Sequence, residues 1–79
     1  MRKWNFKKQK YEPYSVPDEW NTPLISWDME QIINCASCGK KMTFGDGYTS
    51  RKIHTEHGMG YNVCFDCYEK EWQEEMSYK

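Results

Sequence analysis

Cys35-Ala36-Ser37-Cys38-Gly39-Lys40 and Val63-Cys64-Phe65-Asp66-Cys67-Tyr68 are the two stretches whose reading decides the fold. Each holds a Cys-x-x-Cys pair, and 25 residues separate the pairs. Zinc takes four soft, deprotonated donors in a tetrahedron, and a tight Cys-x-x-Cys turn presents two sulfurs at a spacing the ion accepts. Two such pairs close the shell, so Cys35, Cys38, Cys64 and Cys67 are expected to hold one Zn2+. Gly39 directly after Cys38 strengthens the first pair. The turn that aims backbone N–H groups at the sulfurs tends to need a positive φ, which glycine takes without steric cost. The gap exceeds the roughly 15–20 residues of the commonest double-pair spacing, yet it accommodates a whole hairpin. A thioredoxin-like redox reading needs a βαβ context that the sequence does not offer.

Outward from the cysteines the punctuation is clear. Ile32-Ile33-Asn34 leads into the first pair, and Met42-Thr43-Phe44 leads out to a turn at Gly45-Asp46-Gly47. Tyr48 to His54 reads as a strand rich in Tyr, Thr and Ile, Thr55 to Gly60 as a loop, and Tyr61-Asn62-Val63 as a returning strand. Residues 48–63 are therefore a candidate hairpin. After Cys64 the period changes: Phe65, Tyr68, Trp72 and Met76 fall at i, i+3, i+7 and i+11, one face of a helix. That face is expected to pack towards the hairpin or the N-terminal arm while Glu69, Lys70 and Glu74 meet water. Asp66 complements the helix dipole, and Lys70 lies four residues before Glu74.

The 79 residues permit one small domain. Its only aliphatic residues are Val16, Leu24, Ile25, Ile32, Ile33, Ala36, Ile53 and Val63, so aromatics, methionines and cysteines must supply most of a core. A chain this short usually needs a staple. Division at Asn34 gives residues 1–34, with all three prolines, three of the four tryptophans and no cysteine, and residues 35–79, with every cysteine, histidine and glycine. The first part reads as an extended aromatic and charged arm, the second as a metal-centred module. Pro13, Pro17 and Pro23 block a long helix. They leave room for a helical turn at Asp18-Glu19-Trp20 and another over Asp28 to Ile33, with Asp28 and Gln31 as a capping pair. No run of about 18 apolar residues offers a membrane span, and the charged start has no apolar stretch behind it to act as a secretory signal. A cytoplasmic protein is expected, and reduced thiols there favour metal over disulfides.

Knuckle, hairpin and a helix whose first turn supplies the second pair resemble the treble-clef zinc finger, over roughly residues 32–76. The arrangement is similar to GATA-type and LIM-type fingers and to small bacterial and phage zinc proteins such as the Gin anti-sigma factor. The resemblance implies a small zinc-stabilised α+β fold and, for a phage-encoded protein, a place in the host cytoplasm. Where GATA fingers carry a basic tail, this chain has Glu69, Glu71, Glu74 and Glu75, which argues against reading a DNA major groove. Members of this fold bind DNA, RNA, lipids or proteins, so the fold alone does not choose a partner.

His54 and His57 invite comparison with zinc-stapled HNH nucleases. His57 is only seven residues from Cys64, which leaves no room for a ββα active site; two exposed histidines at a hairpin tip, or less readily a second metal site, are the competing readings. The aromatic arm poses a similar choice. Trp4, Phe6, Tyr11, Tyr14, Trp20 and Trp27 either wrap back over the module or offer a docking surface, for which Trp4, Phe6, Trp20 and Trp27 are the candidates. Residues 1–10 carry +5 and residues 11–34 carry −5 within a net charge of −1. The electrostatic case for nucleic acid is therefore local, resting on Arg2, Lys3, Lys7, Lys8 and Lys10 with Lys40, Lys41, Arg51 and Lys52. The expected function is a non-catalytic zinc module that binds a protein partner, with no membrane or small-molecule substrate. A nucleic-acid-binding finger is the alternative and an HNH-like nuclease ranks third.

Overall fold

The computed structural model describes residues 1–78; Lys79, the last residue of the expected module, lies outside the described residues. It is a small α+β fold of six strands and one C-terminal helix. Strands β1 (Arg2–Asn5), β2 (Lys10–Pro13), β5 (Tyr48–His54) and β6 (Gly60–Val63) form an antiparallel sheet in the order β2-β1-β5-β6. Strands β3 (Ile32–Asn34) and β4 (Lys41–Thr43) form a separate two-stranded ribbon, and a single 3-10 turn over Phe44–Asp46 connects it to β5. Helix α1 (Phe65–Ser77) starts directly after Cys64.

The first thirteen residues are not a free arm. Asn5 organises a tight loop: its Oδ1 accepts the Lys8 N–H at 3.0 Å, and its carbonyl accepts the Gln9 N–H at 2.7 Å. Across the hairpin Trp4 pairs with Tyr11, their rings edge-to-face at 4.9 Å, the kind of cross-strand aromatic pair that stabilises sheets. Pro13, which has no N–H to donate, is tolerated because β2 is a sheet edge. β1 then joins the cysteine-bearing half by pairing Arg2 with His54 and Lys3 with Ile53. The division at Asn34 thus runs through one hydrogen-bonded sheet.

One further expectation fails locally. Asp28 to Ile33 is not helical: Ser26 Oγ accepts the Asp28 N–H, Asp28 Oδ1 accepts the Glu30 N–H, and Gln31 N–H closes a turn on the Asp28 carbonyl. Short polar side chains that bond their own backbone in this way compete with helix, and the β-branched Ile32 and Ile33 pass into β3. After Pro17 the chain makes one turn, closed by the Trp20 N–H on the Pro17 carbonyl at 3.0 Å.

Helix α1 forms where its period places it, but its phase differs. It buries Cys67 and Glu71, while Phe65, Trp72 and Met76 are exposed, and Glu74 is half-buried rather than in water. The cause is the cysteine pair: Cys67 must face the first pair, and one turn on from Cys67 comes Glu71, not Trp72. Around this line the core collects Ile33, Cys35, Ala36, Ile53, Val63, Cys64 and Cys67, with Phe6 buried beside β5. Met1, Tyr14, Met42, Tyr61 and Tyr68 pack around the cysteine-containing cluster.

Candidate metal centre

Cys35 and Cys38 lie at the tip of the β3–β4 ribbon. The Cys35 N–H donates to the Lys40 carbonyl and the Gly39 N–H to the Cys35 carbonyl, both at 2.9 Å, and Asn34 Nδ2 donates to the Gly39 carbonyl. Gly39 takes φ +81°, the left-handed conformation expected of it. The closed turn aims the N–H groups of Ser37 and Cys38 at Cys35 Sγ, at 3.3 and 3.4 Å. The Ala36 N–H donates to the Asn62 carbonyl at 3.0 Å, fixing this knuckle to β6. Val63, wholly buried, leads into Cys64 at the helix N-cap, and Cys67 follows in the first turn.

All four thiols are free and their sulfurs lie within 4.8 Å of one another. Cys38 Sγ and Cys64 Sγ, from different pairs, are 3.7 Å apart. A tetrahedron with metal–sulfur bonds of about 2.3 Å has edges of about 3.8 Å, so this separation suits two ligands of one ion. Cys35, Cys64 and Cys67 are buried, and Cys38 is exposed. Burial acts to raise the Cys35 thiol, but the surrounding N–H groups of Cys64, Cys38 and Ser37 outweigh it and hold that thiol below the usual range. Burial pushes Cys38 and Cys67 up. Four such thiols packed together suit a cation that displaces their protons. Among the described residues no other group of three or more Cys, His, Asp or Glu is disposed to hold a metal.

A cleft of about 280 Å³ beside Cys38 and Cys67 carries both signs of charge, lined by Lys3, Lys52 and Lys70 together with Ser37, Glu71 and Glu74. Glu71, only 4% exposed, accepts from Ser50 Oγ at 2.8 Å and from the Arg51 N–H at 2.7 Å. Burial raises its pKa, against the pull of those two donors and of Lys52 and Lys3. Ser50 Oγ in turn accepts the N–H groups of Lys52 and Ile53 where β5 departs from regular pairing with β6. From the sequence Glu71 stands only in an acidic run; its position four residues after Cys67 is the signal that places it inside.

The four aromatic candidates separate. Trp4 packs on Tyr11, Phe6 is buried, and Trp20 lies so close over Gly39 that a Cβ there would come within 2.4 Å of its ring. Tyr14 Oη donates to the Ala36 carbonyl at 2.7 Å. Trp20 and Tyr14 thus cover the knuckle, while Trp4 and Phe6 pack on and beside the four-stranded sheet. Trp27 alone projects, 98% exposed. The basic candidates are not brought into one surface either. Arg2 bonds the carbonyls of Thr55 and Glu56 and lies 3.9 Å over the Tyr11 ring. Arg51 makes a two-point pair with Glu75, and Lys52 pairs with Glu74 at 2.7 Å. Lys3 lines the cleft; Lys7, Lys8 and Lys10 are exposed around the β1–β2 loop and Lys40 and Lys41 at the ribbon. His54 is not exposed at a tip: its Nδ1 is 3.1 Å from Tyr11 Oη, and burial, with Arg2 nearby, lowers its pKa. His57 is exposed.

Comparison of the chain with protein-family models, with curated proteins and with solved structures gives no match. No helix among the described residues is long and apolar enough to cross a membrane.

Proposed function

We propose that this chain is a treble-clef module stapled by one structural Zn2+, that it is not an enzyme, and that it acts by binding a protein partner. The observation that carries the reading is the cluster of Cys35, Cys38, Cys64 and Cys67, built from a ribbon-tip knuckle and the first turn of a helix. Four thiolates fill a tetrahedral shell and leave no position at which the metal could activate water. Commitment of Arg2, Arg51 and Lys52 to partners within the molecule weakens the nucleic-acid alternative. A role as a small bacterial or phage regulator of host machinery such as transcription follows from the resemblance to Gin-like proteins alone. Metal analysis of the reduced, folded protein tests the staple, with one equivalent of zinc expected. Affinity capture from a bacterial lysate tests the partner: a protein retained after nuclease treatment supports the reading, and loss of every partner on nuclease treatment overturns it.

A further inference from the structure

The phase of α1 leaves an apolar face largely exposed, with the Arg51 guanidinium 4.3 Å over its Trp72 ring. Tyr48 of β5 stacks on Tyr68 at 5.0 Å and meets Phe65 at 5.6 Å, and Tyr68 meets Trp72 edge-on at 6.4 Å, so these rings form one continuous ridge. Met76 extends it along the same helix face. Phe65 is 54% and Met76 62% exposed, and Tyr48 and Trp72 are also exposed. The ridge stands on a helix and a strand, so its rings are held in place before any partner arrives, which lowers the entropy lost on binding. Among the described residues Ile25, Trp27 and Met29 are exposed on irregular chain, and Ile32 is exposed at the start of β3.

The helix charge beside the ridge is net acidic, with Lys70 sharing a surface hollow with Asp66 and Glu69. α1 carries Asp66, Glu69, Glu71, Glu74 and Glu75 against the single base Lys70. Glu74 and Glu75 are paired with Lys52 and Arg51, and Glu71 is buried. Asp66 and Glu69 are exposed and make no ion pair among the described residues; Glu69 lies one helical turn from Phe65, on the edge of the apolar face. A nucleic acid would bring phosphates towards these carboxylates, whereas a basic protein segment would pair with them. We infer that the Tyr48–Phe65–Trp72–Met76 ridge docks a protein segment that presents apolar anchors flanked by lysine or arginine, deepening and resting on the protein-binding reading above.

The test uses the full-length, zinc-loaded, 15N-labelled chain with three probes: an amphipathic Leu/Lys helical peptide, a Leu/Glu peptide of the same pattern, and a single-stranded oligonucleotide. The Leu/Lys peptide should shift the Trp72 indole and the amides of Tyr48, Phe65 and Met76. Trp72→Ala or Phe65→Ala should weaken that binding at least tenfold, and Glu69→Lys severalfold, with zinc content and amide dispersion unchanged, whereas Trp27→Ala should have no effect. No binding of the Leu/Lys peptide overturns the inference. So do equal binding of the Leu/Glu peptide, oligonucleotide binding at the ridge, shifts confined to residues 25–32, or self-association that Trp72→Ala abolishes. A nuclease-resistant lysate partner that Trp72→Ala and Phe65→Ala still retain removes this inference and leaves the protein-binding reading standing.

Discussion

Gly39 and Gly58 share a left-handed backbone, φ +81° and +87°, in opposite surroundings. A Cβ at Gly39 meets the Trp20 ring at 2.4 Å, whereas one at Gly58 meets nothing within 4 Å. Gly58→Ala should therefore cost only the conformational term, about 1–2 kcal/mol. Gly39→Ala should cost about 1–3 kcal/mol more, since it either displaces Trp20 or distorts the knuckle. Thermal melts of the two zinc-loaded variants check the difference, and equal destabilisation would mean that Trp20 does not hold its place on the knuckle. His54 gives a pH signature. Its folded pKa lies below 6.5 because of burial first and Arg2 second. A depressed pKa means that protonation disfavours the folded state, so its contribution to stability is present above pH 6.5 and fades as pH falls through the folded value. An NMR titration should place the His54 ring below 6.5. Melting of His54→Gln should lose that part of the pH dependence.

At the scale of elements, burial ranks the substitutions. Ile53→Ala removes a fully buried side chain near the end of β5 and should cost about 2–5 kcal/mol. Trp72→Ala removes a larger side chain but a partly exposed one, whose intramolecular contacts include Arg51 at 4.3 Å and the Tyr68 edge. Its cost should stay near 1 kcal/mol, and denaturant melts that rank Trp72→Ala above Ile53→Ala would contradict the helix phase. That phase marks the limit of what the sequence alone conveys. Strand Tyr48–His54, the return to Val63, the helix after Cys64 and the bend at Gly39 are all legible, because each is dictated by residues adjacent in the chain. Apolar spacing alone assigns Phe65, Tyr68, Trp72 and Met76 to the core. The Cys64–Cys67 pair imposes a different rotation, and a carboxylate ends up inside because Ser50 and Arg51 supply donors. The N-terminal hairpin escapes for another reason: in Arg2–Asn5 and Lys10–Pro13 charged residues mask the alternation, and β1 finds its second neighbour in β5, some 50 residues away.

For the whole molecule, that pairing changes what metal removal should do. Burial in a chain of this size roughly cancels the entropy of ordering, and structural zinc contributes on the order of 10–16 kcal/mol in small finger peptides. If only residues 35–79 depended on the metal, chelation would spare the N-terminal hairpin. With β1 hydrogen-bonded to β5, a strong chelator, or Cys64→Ser in excess zinc, should collapse the amide dispersion of Trp4 and Tyr11 together with that of β5 and α1. A hairpin that persists in the chelated protein would show that it folds independently. The same strand order separates synthesis from folding in time. Lys3 must wait for Ile53, and at 5–20 residues per second the intervening chain takes roughly 3–10 s to be made. Throughout that interval β1 has only β2 beside it and its other edge is open, a configuration that invites aggregation. The three exposed lysines around the loop and the proline that ends β2 are residues of the kind that discourage edge-to-edge association.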